Sequence, residues 1–155
     1  MSTPITFSIP LAELQAVALA AGDKDVRYYI NGVAFEFATD GLYLVATDGH
    51  RIHVIKAAVE EAFGLSGLTG QTLIVPNEVI KSIKSPARAK QTRMTVAVEP
   101  SKNDNGEATH RITFTAGNDS DSKTGFAIIG HYPDWWQRHR AGSAQLVISP
   151  RKRRP

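Results

Sequence analysis

The stretch ITFSIPLAELQAVALAAG, residues 5–22, has a plan that recurs in QTLIVPNEVIKSIK, residues 71–84. In both, a β-prone run leads to a proline, and apolar residues at helical spacing follow it. The two prolines, Pro10 and Pro76, are 66 residues apart. Proline is tolerated in the first turn of a helix because its missing N–H would have had no intrahelical partner there. Each stretch therefore predicts a strand that ends at a proline and an amphipathic helix that begins there.

The apolar residues after each proline lie on one face of the predicted helix. In the first helix they are Leu11, Leu14, Ala18 and Leu19, and in the second Val79, Ile80 and Ile83. Such a stripe is typical of a helix that covers one face of a sheet. We expect both helices to contribute these side chains to the core.

Three strand-like runs follow each helix. They are VAFEF, LYLVAT and RIHVIK after the first, and RMTVAVE, HRITFTAG and GFAIIGHY after the second. Turn residues separate them, including SKNDNGEAT at 101–109 and NDSDSKTG at 118–125. Hairpin turns of this kind favour antiparallel sheet. The sequence predicts an α+β fold of two pseudo-symmetric strand-helix-strand-strand-strand halves, about 5–66 and 71–132, within a single domain at 1–140.

The remaining residues, 141–155, contain the line QLVISPRKRRP. It repeats the strand-then-proline opening, but no helical pattern follows. The segment, which ends in a basic tail, is either a last strand that pairs with an otherwise open sheet edge or a linker left from a longer architecture. These two alternatives stay open at the level of sequence.

Composition and charge limit the classes of protein to consider. The chain has 155 residues and no cysteine, and no window approaches the ~18 consecutive apolar residues of a membrane span. The N-terminus shows no secretory signal pattern, so we expect a cytoplasmic protein. Residues 1–137 hold 12 basic and 15 acidic side chains, whereas the six basic residues after Gln137 have no acidic neighbour. A basic end of this kind suits a polyanion, although short basic termini are more often solubilising.

The segment VATDGHRIHVI, residues 45–55, places an acid and two histidines around an Asp-Gly pair. Asp48, His50 and His53 therefore raise the alternative of a metal-dependent hydrolase. Side chains three apart on a strand point to opposite faces, so His50 and His53 cannot both reach one metal. Asp48 and Gly49 are better explained as a turn, since both tolerate positive φ. The sequence has no nucleophile motif and no Gly-rich phosphate loop, and we predict neither catalytic residues, a metal nor a cofactor.

Four ordered blocks carry a resemblance to a known family. DKDVRYYINGVAFEF, LYLVATDGHRIHVI, LIVPNEVIKSIK and GFAIIGHYPDWW resemble, in that order, the middle domain of the bacterial sliding clamp, the DNA polymerase III β subunit. The resemblance implies a non-enzymatic role in DNA replication. Clamps of this family hold DNA polymerases and repair proteins through a groove for short linear peptides, and they close as rings around duplex DNA. The positions that match groove residues are Arg27, Ile30, Thr47, Gly49, His50, Arg51 and Ile52.

The sequence departs from the family in three places. It contains one domain where the family has three, so the second wall of the groove must come from elsewhere. Arg140 stands near the position of a groove proline, and Asn77 and Glu78 replace basic residues that often face DNA. The remaining candidates for sequence-independent phosphate contact are Lys81, Lys84, Arg88 and Lys90. A solvent-exposed helix face without DNA contact explains these residues equally well.

Two forms of the function follow from the resemblance. In one, about six copies associate into a ring that matches the six domains of the family's ring. In the other, a monomeric or dimeric adaptor or decoy competes with the full clamp for its peptides, as a protein of a mobile element could. The number of copies that associate in solution distinguishes the ring from the adaptor or decoy.

Overall fold

The computed structural model describes residues 4–83, 93–116 and 122–133, together with the backbone of 145–148. The first half contains β1 (Ile5–Pro10), α1 (Leu11–Ala18), β2 (Gly32–Ala38), β3 (Gly41–Thr47), β4 (Arg51–Lys56) and β5 (Glu60–Phe63). The second contains β6 (Thr72–Pro76), α2 (Asn77–Ser82), β7 (Arg93–Lys102), β8 (Ala108–Ala116) and β9 (Ser122–Phe126), and β10 (Gln145–Ile148) follows. Short 3-10 turns lie at Tyr28–Ile30 and Leu65–Leu68.

The two halves exchange their opening strands. One sheet has the order β5-β1-β7-β8-β9 and the other β10-β4-β3-β2-β6. Thus β1 pairs antiparallel with β7 of the second half, and β6 pairs antiparallel with β2 of the first. Over the described residues the fold is α+β with two helices and two mainly antiparallel sheets, as the sequence predicted. The exchange ties the halves into one unit, because neither sheet is complete without a strand from the other half.

The main core lies between the two sheets and includes the helices. Phe35 of β2 meets Phe114 of β8 edge to face, with ring centroids 6.2 Å apart. Leu11 and Leu14 of α1 are fully buried in the same cluster, and Ile80 of α2 joins it at 5% exposure. Burying a side chain of this size contributes about 1.5–3 kcal/mol. These contacts therefore hold both helices against the sheets.

A second, smaller cluster lies on the opposite face of the β10-β4-β3-β2-β6 sheet. It consists of Ile30, Ala34, Val45, Ile52, Val54, Ile74 and Tyr132. Successive residues of a strand point to opposite faces, which is why Ala34 and Val45 belong to this cluster while Phe35 and Leu44 belong to the main core. Residues 127–133 cover the cluster. The Ala127 amide donates to the His110 carbonyl and the Ile128 amide to the Ile74 carbonyl, so this segment links the two sheets.

Three details differ from the sequence predictions. Leu19 lies beyond the end of α1 and is 73% exposed, so its place on the apolar face was wrong, and Val17 is buried instead. The last strand of the second half is Ser122–Phe126, earlier than the predicted 125–132, since Ile128 turns to bond the other sheet. The short strand β5, with all four residues exposed, was not predicted because it has no apolar alternation.

A short strand lies near the C-terminal end of the described residues. Gln145–Ile148 pairs with Arg51–Val54 as β10, at the outer edge of the sheet. Its direction is parallel to β4, a direction for which the sequence made no prediction. Among the described residues, no helix is long and apolar enough to cross a membrane.

Candidate functional site

The turn between β3 and β4 is fixed by its own side chains. The Thr47 hydroxyl accepts a hydrogen bond from the Gly49 amide at 3.0 Å and donates one to the Arg51 carbonyl at 2.7 Å. Gly49 has a φ of 94°, a conformation that L side chains rarely adopt. Thr47 is 2% exposed, and its two partly buried hydrogen bonds hold the turn in one shape.

Asp48 caps this turn. Its Oδ1 accepts the His50 amide at 2.9 Å and the Arg51 amide at 3.2 Å. Burial disfavours the ionised form, but the two amides and the guanidinium of Arg51 outweigh it, and the pKa of Asp48 lies below its ordinary value. The carboxylate is thus committed to the turn, as the sequence pattern indicated.

Arg27 lies against the turn. Its Nε and Nη2 donate to the two carboxylate oxygens of Asp25, each at 3.0 Å. Its Nη2 also lies 3.4 Å from the Asp48 carbonyl. The side-chain hydrogen bonds from Arg27 lower the pKa of Asp25 to about 2. Asp25 therefore acts as a fixed anion that orients the guanidinium toward Gly49.

Arg51 connects the turn to the end of α1. Its Nη2 donates to the Leu19 carbonyl at 3.0 Å, and its Nε lies 3.5 Å from Asp48 Oδ2. The side chains of Leu19 and Val26 are 73% and 96% exposed. The surface around the turn therefore combines two oriented guanidinium groups with exposed apolar groups.

The structure brings together the seven predicted groove residues but places them at two depths. Arg27, Gly49, His50 and Arg51 reach the surface, whereas Ile30, Thr47 and Ile52 are 1–2% exposed. Ile30 and Ile52 belong to the second cluster, directly beneath the turn. We define Arg27, Gly49, His50 and Arg51 as the turn surface. Sequence reasoning missed Asp25, whose role is visible only once Arg27 is placed beside it.

The metal-site alternative gains no support from this arrangement. Asp48 binds backbone amides, and His53 lies on β4 with its Nδ1 3.4 Å from the Ala16 carbonyl. Within residues 4–83, 93–116 and 122–133, no group of three His, Asp or Glu side chains could hold a metal ion.

Of the four DNA-binding candidates, the structure describes Lys81. It lies on α2 with 67% of its side chain exposed and pairs with Asp23 at 3.6 Å. The depression beside it is also lined by Lys24 and Glu78, so both signs of charge are present. Lys84, Arg88 and Lys90 lie outside the described residues, as does Arg140.

Two sheets with exchanged opening strands, two short helices and a side-chain-locked turn define a domain of the DNA-clamp class. The chain belongs to the family of the DNA polymerase III beta subunit, central domain, whose family model matches residues 11–134.

Relatives agree with this assignment. The beta sliding clamp of Proteus mirabilis is 35% identical over 78 residues, 48% of this chain and 20% of that protein. The beta sliding clamp of Pseudomonas putida is 24% identical over 141 residues, 90% of this chain and 34% of that protein. The chain thus spans a fifth to about a third of the length of these relatives.

Solved structures show the same fold. A DNA polymerase sliding clamp from Pseudomonas aeruginosa with a ligand superposes with a TM-score of 0.60 at 23% identity, covering 88% of this chain and 35% of that one. The DNA polymerase III subunit beta from Borrelia burgdorferi, in complex with a natural product, gives 0.58 at 22% identity, with 85% and 32% covered.

Proposed function

We propose that this chain is a clamp-type DNA replication protein that binds DNA polymerases and other clamp-binding proteins through short linear peptides at the turn surface. The family match over residues 11–134 supports a clamp-type role. The observation that supports this site is the locked turn, with Arg27 held near the Asp48 carbonyl and Arg51 bonded to the Leu19 carbonyl. Binding, rather than catalysis, is the activity that such a surface performs.

The turn surface suits peptide capture for physical reasons. Recognition by a groove needs apolar contact area and a few polar groups that fix orientation. Leu19 and Val26 supply exposed apolar area, and the two guanidinium groups supply oriented donors. Their hydrogen bonds to Asp25 and the Leu19 carbonyl order them before a ligand arrives, which lowers the entropic cost of binding.

Fluorescence anisotropy with a fluorescein-labelled clamp-binding peptide from a bacterial DNA polymerase tests the proposal. We expect His50→Ala and Arg51→Ala each to weaken binding by about tenfold, the loss typical of a contact at the centre of an interface. Arg111→Ala is the matched control, because Arg111 makes an exposed ion pair with Glu99 on the other sheet. Unchanged affinity in both turn-surface variants, or no binding by the unmodified chain, would remove the proposal.

Oligomeric mass separates the ring from the adaptor. Within the part of the chain that the structure describes, β5 is an edge strand with Phe63 64% exposed, and such edges can pair with another chain. A ring of about six copies would encircle duplex DNA without sequence preference, and its DNA affinity would fall steeply with salt. Light scattering that finds only monomer or dimer, with and without DNA, favours the adaptor or decoy that competes with a full clamp. Either form is expected to act in the cytoplasm.

A further inference from the structure

The outer edge of β4 is paired with β10, a strand of the same chain, and this pairing begins next to the turn surface. β10 is the outermost strand of its sheet, and its register places Gln145 opposite Arg51 and Leu146 opposite Ile52. Arg51 belongs to the turn surface, and Ile52 is the buried groove residue next to it. A ligand that extends from the turn surface along β4 therefore meets the place that β10 occupies.

β10 has the properties of a strand that can leave. Among the described residues it pairs with a single neighbour, β4, over four residues and in the parallel direction. Parallel pairing is slightly less stable per residue than antiparallel pairing, and a four-residue strand is at the short end of the range. By contrast, β4 itself pairs with β3 over five positions and contributes Ile52, Val54 and Ile55 to the two apolar clusters. Loss of β10 would leave β4 in place with an open edge.

We propose that the outer edge of β4 is a strand-addition site whose resident occupant is β10, and that an incoming clamp-binding peptide must displace β10 to bind fully. The partner that fits is an uncharged extended segment that runs parallel to β4, as the residues QLVI of β10 do. Added strands gain affinity from main-chain hydrogen bonds. The apparent affinity for the peptide is then the intrinsic affinity multiplied by the fraction of time that β10 spends off β4. This inference rests on the function proposed above.

A reversible lock on β10 tests the displacement in the full chain. Val147 and His53 are register partners, and neighbouring strands lie about 4.8 Å apart, within the Cα range of a disulfide. The chain has no cysteine, so the pair His53→Cys and Val147→Cys would form a single disulfide. The matched control is Glu36→Cys with Tyr43→Cys, a register pair across β2 and β3 that leaves β10 free.

We expect the oxidised β10–β4 variant to bind the labelled polymerase peptide at least about tenfold more weakly than the reduced form, with no redox effect in the control pair. Amides of residues 145–148 in the unmodified chain should also lose hydrogen-exchange protection when the peptide is added. Equal affinity in both redox states overturns the displacement and leaves the proposed function intact. Absence of peptide binding in the unmodified chain overturns both.

Discussion

The guanidinium of Arg27 occupies the space that a side chain on Gly49 would need. A Cβ atom on Gly49 would lie 2.9 Å from Arg27 Nη2, and the φ of Gly49 is 94°. Gly106, in the β7–β8 hairpin, has a similar φ of 80° but no atom within 4 Å of such a Cβ. Alanine substitutions at the two glycines therefore distinguish the effect of backbone strain, which both share, from the effect of displacing Arg27, which only Gly49 has.

Gly49→Ala is expected to lower both stability and peptide affinity. Alanine at positive φ costs about 1 kcal/mol or more, and the same backbone cost applies to Gly106→Ala. Only Gly49→Ala displaces Arg27 as well. Urea unfolding should show a loss in both variants, whereas peptide anisotropy should weaken in Gly49→Ala alone. Equal peptide affinity in the two variants would show that the position of Arg27 does not matter for binding.

Thr47 is expected to be essential for the shape of the turn. Thr47→Val keeps the volume but removes the hydroxyl that bonds the Gly49 amide and the Arg51 carbonyl. Because these partners lose a partly buried hydrogen bond, we expect a loss of about 1 kcal/mol in the free energy of unfolding, with weaker peptide binding. Thr47→Ser retains the hydroxyl and should stay close to the unmodified protein. Similar losses in the two variants would point to packing of the methyl group instead.

The local part of this fold could be predicted from the sequence. Pro10 and Pro76 each end a strand and precede a helix, as the repeat indicated. The turn at Asp48 and Gly49 also follows from residue type, because few residues tolerate its backbone conformation. These features are decided by neighbours in the chain, so the sequence displays them directly.

The non-local part could not be predicted from the residues alone. The residues Ile5–Pro10 do not indicate that this strand pairs with β7. No local pattern predicts the parallel pairing of β10 with β4 either. The shift of β9 has the same origin, because Ile128 leaves its own sheet to bond Ile74 of the other. At the site, the burial of Ile30 and Ile52 depends on a cluster assembled from distant segments.

Asp25 gives a pH-dependent test of the Arg27 arrangement. Its folded-state pKa of about 2 lies below the ordinary value of about 3.9, so the pair favours folding above that ordinary value. The contribution is lost as the pH falls from about 4 through about 2. In a carboxyl NMR titration, Arg27→Ala should raise the pKa of Asp25 toward its ordinary value. Arg111→Ala, on the other sheet, should leave it unchanged, and an unmoved Asp25 in Arg27→Ala would contradict the pairing.

α2 packs closely against β9, the strand whose position differs from the sequence prediction. A Cβ on Gly125 would overlap Val79 Cγ2, so β9 approaches the helix closely because residue 125 has no side chain. Gly125→Ala should cost about 1–3 kcal/mol through overpacking, whereas Gly67→Ala, whose Cβ would have its nearest contact at 3.4 Å, should cost less.

Val79→Ala removes the atoms that Gly125→Ala would strike. We therefore expect the double variant to lose less free energy of unfolding than the two single variants lose together. The difference, measured by urea unfolding, should be at least about 0.5 kcal/mol. Strictly additive losses would mean that the helix and β9 are not in contact. Lys81, the described DNA-binding candidate, lies on α2, so the same coupling also tests the position of the helix that carries it.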